Sequence, residues 1–182
     1  MQHLDQFDNS WYRHGRPLWF RLLWMFVNAV FFVNPLSLSS GVKVWLLRAF
    51  GAKVGHGFFI KPQVSIKQPW LLQMGNHVWI GEQAWIDNLG LVSIADHVCI
   101  SQGALLLTGN HNYKQPSFDL IVGEIRLEEG CWVGARAVVC PGITVGRGAV
   151  LSVASVATHH LEENWIYQGN PAQKTRPRLH PE

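Results

Sequence analysis

The sequence predicts an all-β fold, a parallel β-helix wound from hexapeptides, preceded by a helical appendage. Three observations carry this. Reading every sixth residue from Leu127 gives Leu127, Val133, Val139, Val145, Leu151 and Ala157, an unbroken aliphatic series. Four residues behind runs a second series, Cys131, Ala137, Ile143, Ala149 and Ser155, whose members are mostly small. Turn formers such as Pro141-Gly142 and Arg147-Gly148 fall between them. A period of six matches neither the ~3.6 of a helix nor a simple hairpin array, and it is the spacing of parallel β-helices built from hexapeptides. Each hexapeptide supplies one short strand and one turn, and three close a coil.

With 182 residues and 48% hydrophobic content, the chain is long enough for one well-buried domain plus an appendage. A formal charge of +3 is too mild to argue for a nucleic-acid partner, and suits a small polyanionic ligand or an anionic membrane surface. The three cysteines, Cys99, Cys131 and Cys140, form no CxxC pair, which points to a reducing compartment and to small core or turn residues. The first ten residues are acidic and polar and no cleavage site follows the apolar run, so a cytoplasmic protein is expected.

Residues 1–53 form the appendage. The run 18–33, opening at Leu18 and closing at Val33, is interrupted only by Arg21 and Asn28 and is stopped by Pro35. It is shorter than the ~20 residues that span a bilayer. Two compatible readings are open: a helix packed over the end of the β-helix or on a neighbouring subunit, and a helix resting peripherally among headgroups with Arg13, Arg16 and Arg21 near phosphates. A second helix is expected over 42–50, capped by Ser39 or Ser40 and ended by Gly51, with Val42, Trp45, Leu46 and Ala49 on one face.

The β-helix occupies 54–172. Its sixes begin Val54, Ile60, Ile66, jump by eight to Met74, Ile80, Ile86, and jump again to Ile94, Ile100, Leu106. Each jump follows a residue twenty after the last, so the surplus leaves the same edge of successive coils. At the third occurrence it becomes the excursion 107–126, with His111 at its root. Insertions on one edge of a repeat, and loops beyond ~12 residues, are commonly functional. Residues 173–182 form a basic tail with Lys174, Arg176 and Arg178. Trp79, Trp85, Trp132, Val138, Val150 and Val156 precede inward aliphatics and point outward, an apolar band that favours packing between subunits.

The hexapeptides Val133-Gly134-Ala135-Arg136-Ala137-Val138 and Val145-Gly146-Arg147-Gly148-Ala149-Val150, the Thr108-Gly109-Asn110-His111 loop and the Gly169-Asn170-Pro171-Ala172 ending resemble those of the hexapeptide-repeat acyltransferases. Trp85-Ile86-Asp87-Asn88-Leu89-Gly90 and Ile100-Ser101-Gln102-Gly103 resemble the sugar O-acetyltransferase branch, and most nearly the colanic acid biosynthesis acetyltransferases. The resemblance implies a left-handed coil, a homotrimer, sites at subunit boundaries, acetyl-CoA as co-substrate and a sugar or lipid-linked glycan as acceptor. It implies His111 as general base for direct transfer, since a sugar hydroxyl needs its proton removed as it attacks a thioester.

By the same resemblance Asp87 and Asn88, one coil before the loop, contact the acceptor, with Tyr113 a further candidate. Asp87 and Asn88 also suit a plain turn. Ala135, Val153, Thr158 and Arg176 match the coenzyme A positions. Where relatives have Gly-Ala-Gly-Ser, this chain has Ser152-Val153-Ala154-Ser155, a substitution expected to narrow the groove. His77 and His97 stack on successive coils. No metal site is expected, because the carbonic-anhydrase-like hydratases of this fold need a His-x4-His pair that the chain lacks. That hydratase and a non-catalytic trimeric scaffold are the alternative functions.

Overall fold

The inward side chains of the six-residue series stack into the core of a three-sided prism. A computed structural model describes residues 2–36 and 39–179. Five coils each lay down three short strands, and a sixth is begun. The first sheet stacks Lys53–Val54, Leu72–Met74, Val92–Ile94, Ile125–Leu127 and Thr144–Val145. The second stacks Phe59–Ile60, Trp79–Ile80, Cys99–Ile100, Trp132–Val133 and Val150–Leu151, and the third Ser65–Ile66, Trp85–Asp87, Leu105–Leu107, Val138–Val139 and Val156–Ala157. All these pairings are parallel and in register, so Ile60, Ile80, Ile100, Val133 and Leu151 lie above one another. Ile66, Ile86, Leu106, Val139 and Ala157 are wholly buried in the same way. The small second series fills the corners, with Cys131, Ala137 and Ala149 fully buried. Coils approach closely there: a Cβ on Gly134 would lie 2.6 Å from the Leu151 carbonyl oxygen of the next coil.

Open solenoid ends expose unpaired strand edges, and here the N-terminal edge of each sheet is capped. The helix α1, Leu18–Val27, continues as a π-helical turn, Asn28–Phe32, and α2 spans Ser40–Ala49. Trp24 Nε1 donates to the Ile66 carbonyl at 2.8 Å, and Asn28 Oδ1 accepts from the Ile66 N–H at 3.2 Å. Ser40 Oγ accepts from the Ile60 N–H at 2.9 Å, and Lys43 Nζ donates to the Lys61 carbonyl at 2.6 Å. Arg48 donates to the Val54 carbonyl at 2.9 and 3.1 Å. One or more side chains therefore serve the first strand of each sheet. The appendage packs on the end of the prism, in agreement with the first of the two readings for 18–33.

The helical face expected for α2 is corrected. Val42 and Trp45 are exposed, and the buried residues are Lys43, Val44, Leu46 and Leu47. A lysine that caps carbonyls turns inward, and rotates the helix away from the face its apolar residues alone would choose. Neither Ser39 nor Ser40 makes a side-chain cap; Ser40 serves the strand edge instead. Gly51, at φ +94°, ends the helix.

At the other end Trp165–Gly169 extends the second sheet, and Ala172–Pro177 returns antiparallel to it. Residues 173–177 of the expected tail are thus a strand of the cap. Arg178 Nη1 donates to the Gly130 and Gly148 carbonyls at 3.0 and 3.1 Å.

Candidate active site

The excursion from the third corner is a hairpin, Gly109–His111 antiparallel to Leu120–Val122; His111, opposite Leu120, lies at the far end of this ladder and not at the root expected from the sequence. The root is the fully buried Thr108, whose Oγ1 donates to the Asp87 carbonyl at 3.0 Å and accepts from the Gly90 N–H at 3.0 Å. The hairpin is thereby stitched to the coil below.

His111 is half-buried and held on three sides. Its Nδ1 lies 2.9 Å from the Phe118 carbonyl oxygen, and the two rings stack at 4.4 Å and 1°. A carbonyl accepts only, so this contact assigns the proton to Nδ1 and leaves Nε2 with its lone pair. Phe118 takes the left-handed region at φ +51° to present that carbonyl. Phe7 closes the third side, its ring centroid 5.5 Å from that of His111. The segment carrying Phe7 is tied across the same edge: the His3 N–H donates to the Pro116 carbonyl at 2.8 Å, and the Tyr12 hydroxyl donates to the Leu89 carbonyl at 2.8 Å while accepting from Gln68 Nε2 at 2.9 Å. Burial raises the Tyr12 hydroxyl above the usual tyrosine pKa, which keeps it a donor. Sequence reasoning missed Phe118, Phe7 and Tyr12. An irregular strap has no periodicity to read, and a backbone carbonyl leaves no signature in residue type.

Asp87 and Asn88 separate. The Asp87 side chain is 13% exposed and forms an ion pair with Lys67 at 2.7 Å. The contact is not a directed hydrogen bond, and Oδ1 is left without one. Asn88 is fully buried, its amide spent on the Gln68 N–H at 2.9 Å and the Gln68 and Leu71 carbonyls at 2.6 and 3.2 Å. Asn88 therefore offers no face to an acceptor and holds the corner, a correction to its expected role. Tyr113 is 70% exposed and, with Gln2, Lys114 and Pro116, lines a shallow recess of about 310 Å³ beside the hairpin.

The second corner carries a groove of about 410 Å³ across the third to fifth coils, lined by Gln102, Trp132, Ala135, Ser152 and Val153. Trp132 is fixed by its Nε1 donating to Ser101 Oγ at 2.8 Å. Ala135 and Val153 meet here. Among the described residues their N–H groups donate to no acceptor, while the neighbouring Gly134 and Ala154 N–H groups are paired across coils. Thr158 lies apart, exposed on the third corner, and Arg176 is exposed on the terminal strand. Within one chain, the four expected cofactor residues do not line one cavity.

The cysteines are poor nucleophiles. Burial pushes the Cys131 thiol up to about 12 and raises Cys99 and Cys140 as well. Cys99 stands on the outer face of the second sheet, not in the core or a turn. His77 and His97 are exposed and stack at 5.1 Å, with φ values of +55° and +59° at corners where other coils place Gly57 and Gly130. Among the described residues no three His, Cys, Asp or Glu side chains stand close enough to hold a metal ion.

A hexapeptide coil with a tautomer-fixed histidine on its one long loop and a groove bearing free backbone donors defines an acyl-transfer enzyme. The chain belongs to the hexapeptide-repeat acetyltransferases. It is 34% identical over 183 residues, covering 100% of both chains, to WcaF of Escherichia coli strain K12, assigned by name to colanic acid biosynthesis as an acetyltransferase. It is 24% identical over 134 residues to the galactoside O-acetyltransferase of the same organism, covering 72% of this chain and 66% of that one. Among solved structures, galactoside acetyltransferase in complex with coenzyme A superposes with a TM-score of 0.77 at 21% identity over 88% of this chain and 81% of that one. The hexapeptide-repeat acetyltransferase VCA0836 of Vibrio cholerae, complexed with acetyl coenzyme A, superposes with a TM-score of 0.73 at 22% identity, over 80% and 81%. These structures share the parallel β-helix fold. No family model matches the chain.

Proposed function

We propose that the protein transfers acetyl from acetyl-CoA to a sugar hydroxyl in exopolysaccharide or related glycan assembly, with His111 as general base. The observation that carries the reading is the Nδ1 contact to the Phe118 carbonyl, which leaves Nε2 free to accept a proton. Bound acetyl-CoA supplies a thioester carbonyl open to attack. His111 Nε2 takes the acceptor hydroxyl proton as the new C–O bond forms, and returns it to the sulfur as the C–S bond breaks, so the base is regenerated. The groove fits the pantetheine arm: the unpaired Ala135 and Val153 N–H groups are donors for its amide carbonyls, and Arg176 has a guanidinium for a phosphate. Asp87, whose carboxylate is 13% exposed beside Lys67, and Tyr113 at the hairpin flank are the acceptor contacts.

His111 sits on the third corner and the Ala135–Val153 groove on the second, so the two halves of the reaction meet only if one chain's hairpin lies against another chain's groove. A homotrimer supplies that arrangement. The outer faces of the second and third sheets support it, with Phe59, Trp79, Trp132 and Trp85 between 45% and 59% exposed. The outer face of the first sheet is polar, with Lys53, Gln73, Ser93, Arg126 and Thr144.

The test is a screen of acceptor sugars with acetyl-CoA, following free thiol release, on the parent and on His111→Ala. The variant is expected to lose about 10²- to 10⁴-fold in kcat and to keep its affinity for CoA. Full turnover in that variant would refute the assignment of the base.

A further inference from the structure

From residue 9 to residue 81 the chain contains no aspartate or glutamate, and it contains eight lysines and arginines. The remaining residues reverse the balance, with seven basic and twelve acidic side chains. The acid-free stretch is the helical cap and the first coil with the start of the second, so one end of the prism is wholly basic. The exposed side chains of Arg13, Arg16, Arg48, Lys53 and Lys61 belong to it.

The same end carries an apolar surface that the fold does not use. While Trp24, Val27 and Phe32 are buried against the strand edges, every exposed residue between 18 and 33 is apolar. Trp19, Leu22, Leu23, Phe26, Val30 and Val33 recur at helical spacing along the outer side of α1 and the π-helical turn, each 40% exposed or more. Trp45 on the outer side of α2 adds a second indole, 66% exposed. A contiguous apolar face of this size is not left to water without an occupant. No helix among the described residues is long and apolar enough to cross a membrane.

We infer that this end of the protein docks on an anionic lipid bilayer, with the outer face of α1 lying in the headgroup region, Trp19 and Trp45 at its boundary, and the surrounding cations against lipid phosphates. The combination of apolar stripe, indoles and acid-free basic rim matches that surface on both counts, hydrophobic and electrostatic. A second copy of the chain fits less well. A two-fold contact through this face would set two acid-free basic ends against each other, at a repulsive cost. A trimer whose axis runs along the prisms turns all three ends the same way, which leaves them uncovered and coplanar. The inference stands apart from the acetyl-transfer reading, and adds to it the side from which a lipid-linked glycan would approach.

The test is co-sedimentation of the full chain with vesicles of phosphatidylcholine alone and of phosphatidylcholine containing about 30% phosphatidylglycerol. Removing the appendage would uncap three strand edges, so the apolar stripe is altered instead by Trp19→Glu, Leu22→Glu and Phe26→Glu together, none of which faces the prism. A second variant, Arg13→Gln with Lys53→Gln, removes two exposed cations of the basic rim. The parent is expected to partition onto the anionic vesicles and to be released by salt. The first variant should lose about tenfold or more of that partition, and the second a smaller part of it. The thermal midpoint and the rate on a soluble acceptor should stay unchanged in both. A parent that stays in the supernatant with anionic vesicles, or a stripe variant that partitions as the parent does, overturns the inference. So does a stripe variant whose sedimentation mass falls, since the face would then be an interface between copies. None of these results bears on acetyl transfer, which is read from thiol release.

Discussion

Ala154 stands at φ +54° next to Val153 of the proposed cofactor groove, at a corner where this chain departs from the Gly-Ala-Gly-Ser pattern. The left-handed region costs a residue with a Cβ about 1–2 kcal/mol, part of which glycine gives back through its looser unfolded chain. Ala154→Gly is therefore expected to stabilise by about 0.5–1 kcal/mol, read as a rise of a few degrees in Tm. No change, or a fall, would mean that the Ala154 methyl group contributes packing that offsets the strain. Lys43 raises the opposite question, a charge placed inside. It is buried over the Phe32 ring, donates to the Ile60 and Lys61 carbonyls, and burial lowers its pKa from 10.5 to about 8. Below about pH 8 both native and unfolded chains hold this proton and the residue adds no slope. Between about 8 and 10.5 the native chain has released it while the unfolded chain keeps it, so stability from this group rises with pH there. Urea midpoints of the parent should gain on those of Lys43→Met across that window. Below it, Lys43→Met should cost about 1–3 kcal/mol by leaving edge carbonyls without a donor.

The two helices act as the lid on an open β-edge, and this explains which of their features sequence alone reveals. The sixes identify most inward residues of the prism, because burial repeats with the coil and residue type follows burial; they miss Leu72, Val92 and Ile125, buried two residues before Met74, Ile94 and Leu127. The hairpin is legible as a place where counting fails. What the count does not reveal are the capping contacts. A lysine is ordinarily solvated, and only the Lys61 carbonyl that receives Lys43 explains why α2 turns a different face inward from the one its apolar residues share. Asn88 reads equally as an acceptor ligand or a corner, and only the three backbone groups around it decide. The strap bearing Phe7 and Tyr12 is irregular, and its path across His111 depends on long-range contacts to Pro116 and Leu89. The cap itself is testable through one atom. Trp24→Phe keeps most of the buried ring and removes the 2.8 Å donor to the Ile66 carbonyl, and is expected to cost about 1–3 kcal/mol in denaturant unfolding with little change in m value. A variant as stable as the parent would show that the edge carbonyl finds another donor.

A prism with one hairpin on its third corner and its free backbone donors on its second holds the parts of an acetyltransferase facing different ways. On the proposed function, the geometry becomes productive only when copies lie side by side, hairpin to groove, around a closed ring. This makes the site divisible between chains, and complementation follows. His111→Ala has an intact groove and no base; Val153→Arg, at a position 64% exposed on the groove wall, has an intact base and fills the cofactor channel. Each homotrimer is expected to be inactive. In mixed trimers formed by co-expression or by refolding together, some boundaries unite the base of one chain with the groove of the other, about a quarter of them for random assembly in equal amounts. Acetyl transfer should return to about that fraction of the parent rate, with sedimentation giving the mass of three chains. If mixing restores nothing while each variant folds and assembles, base and groove belong to one chain, and the hairpin must reach the groove of its own prism.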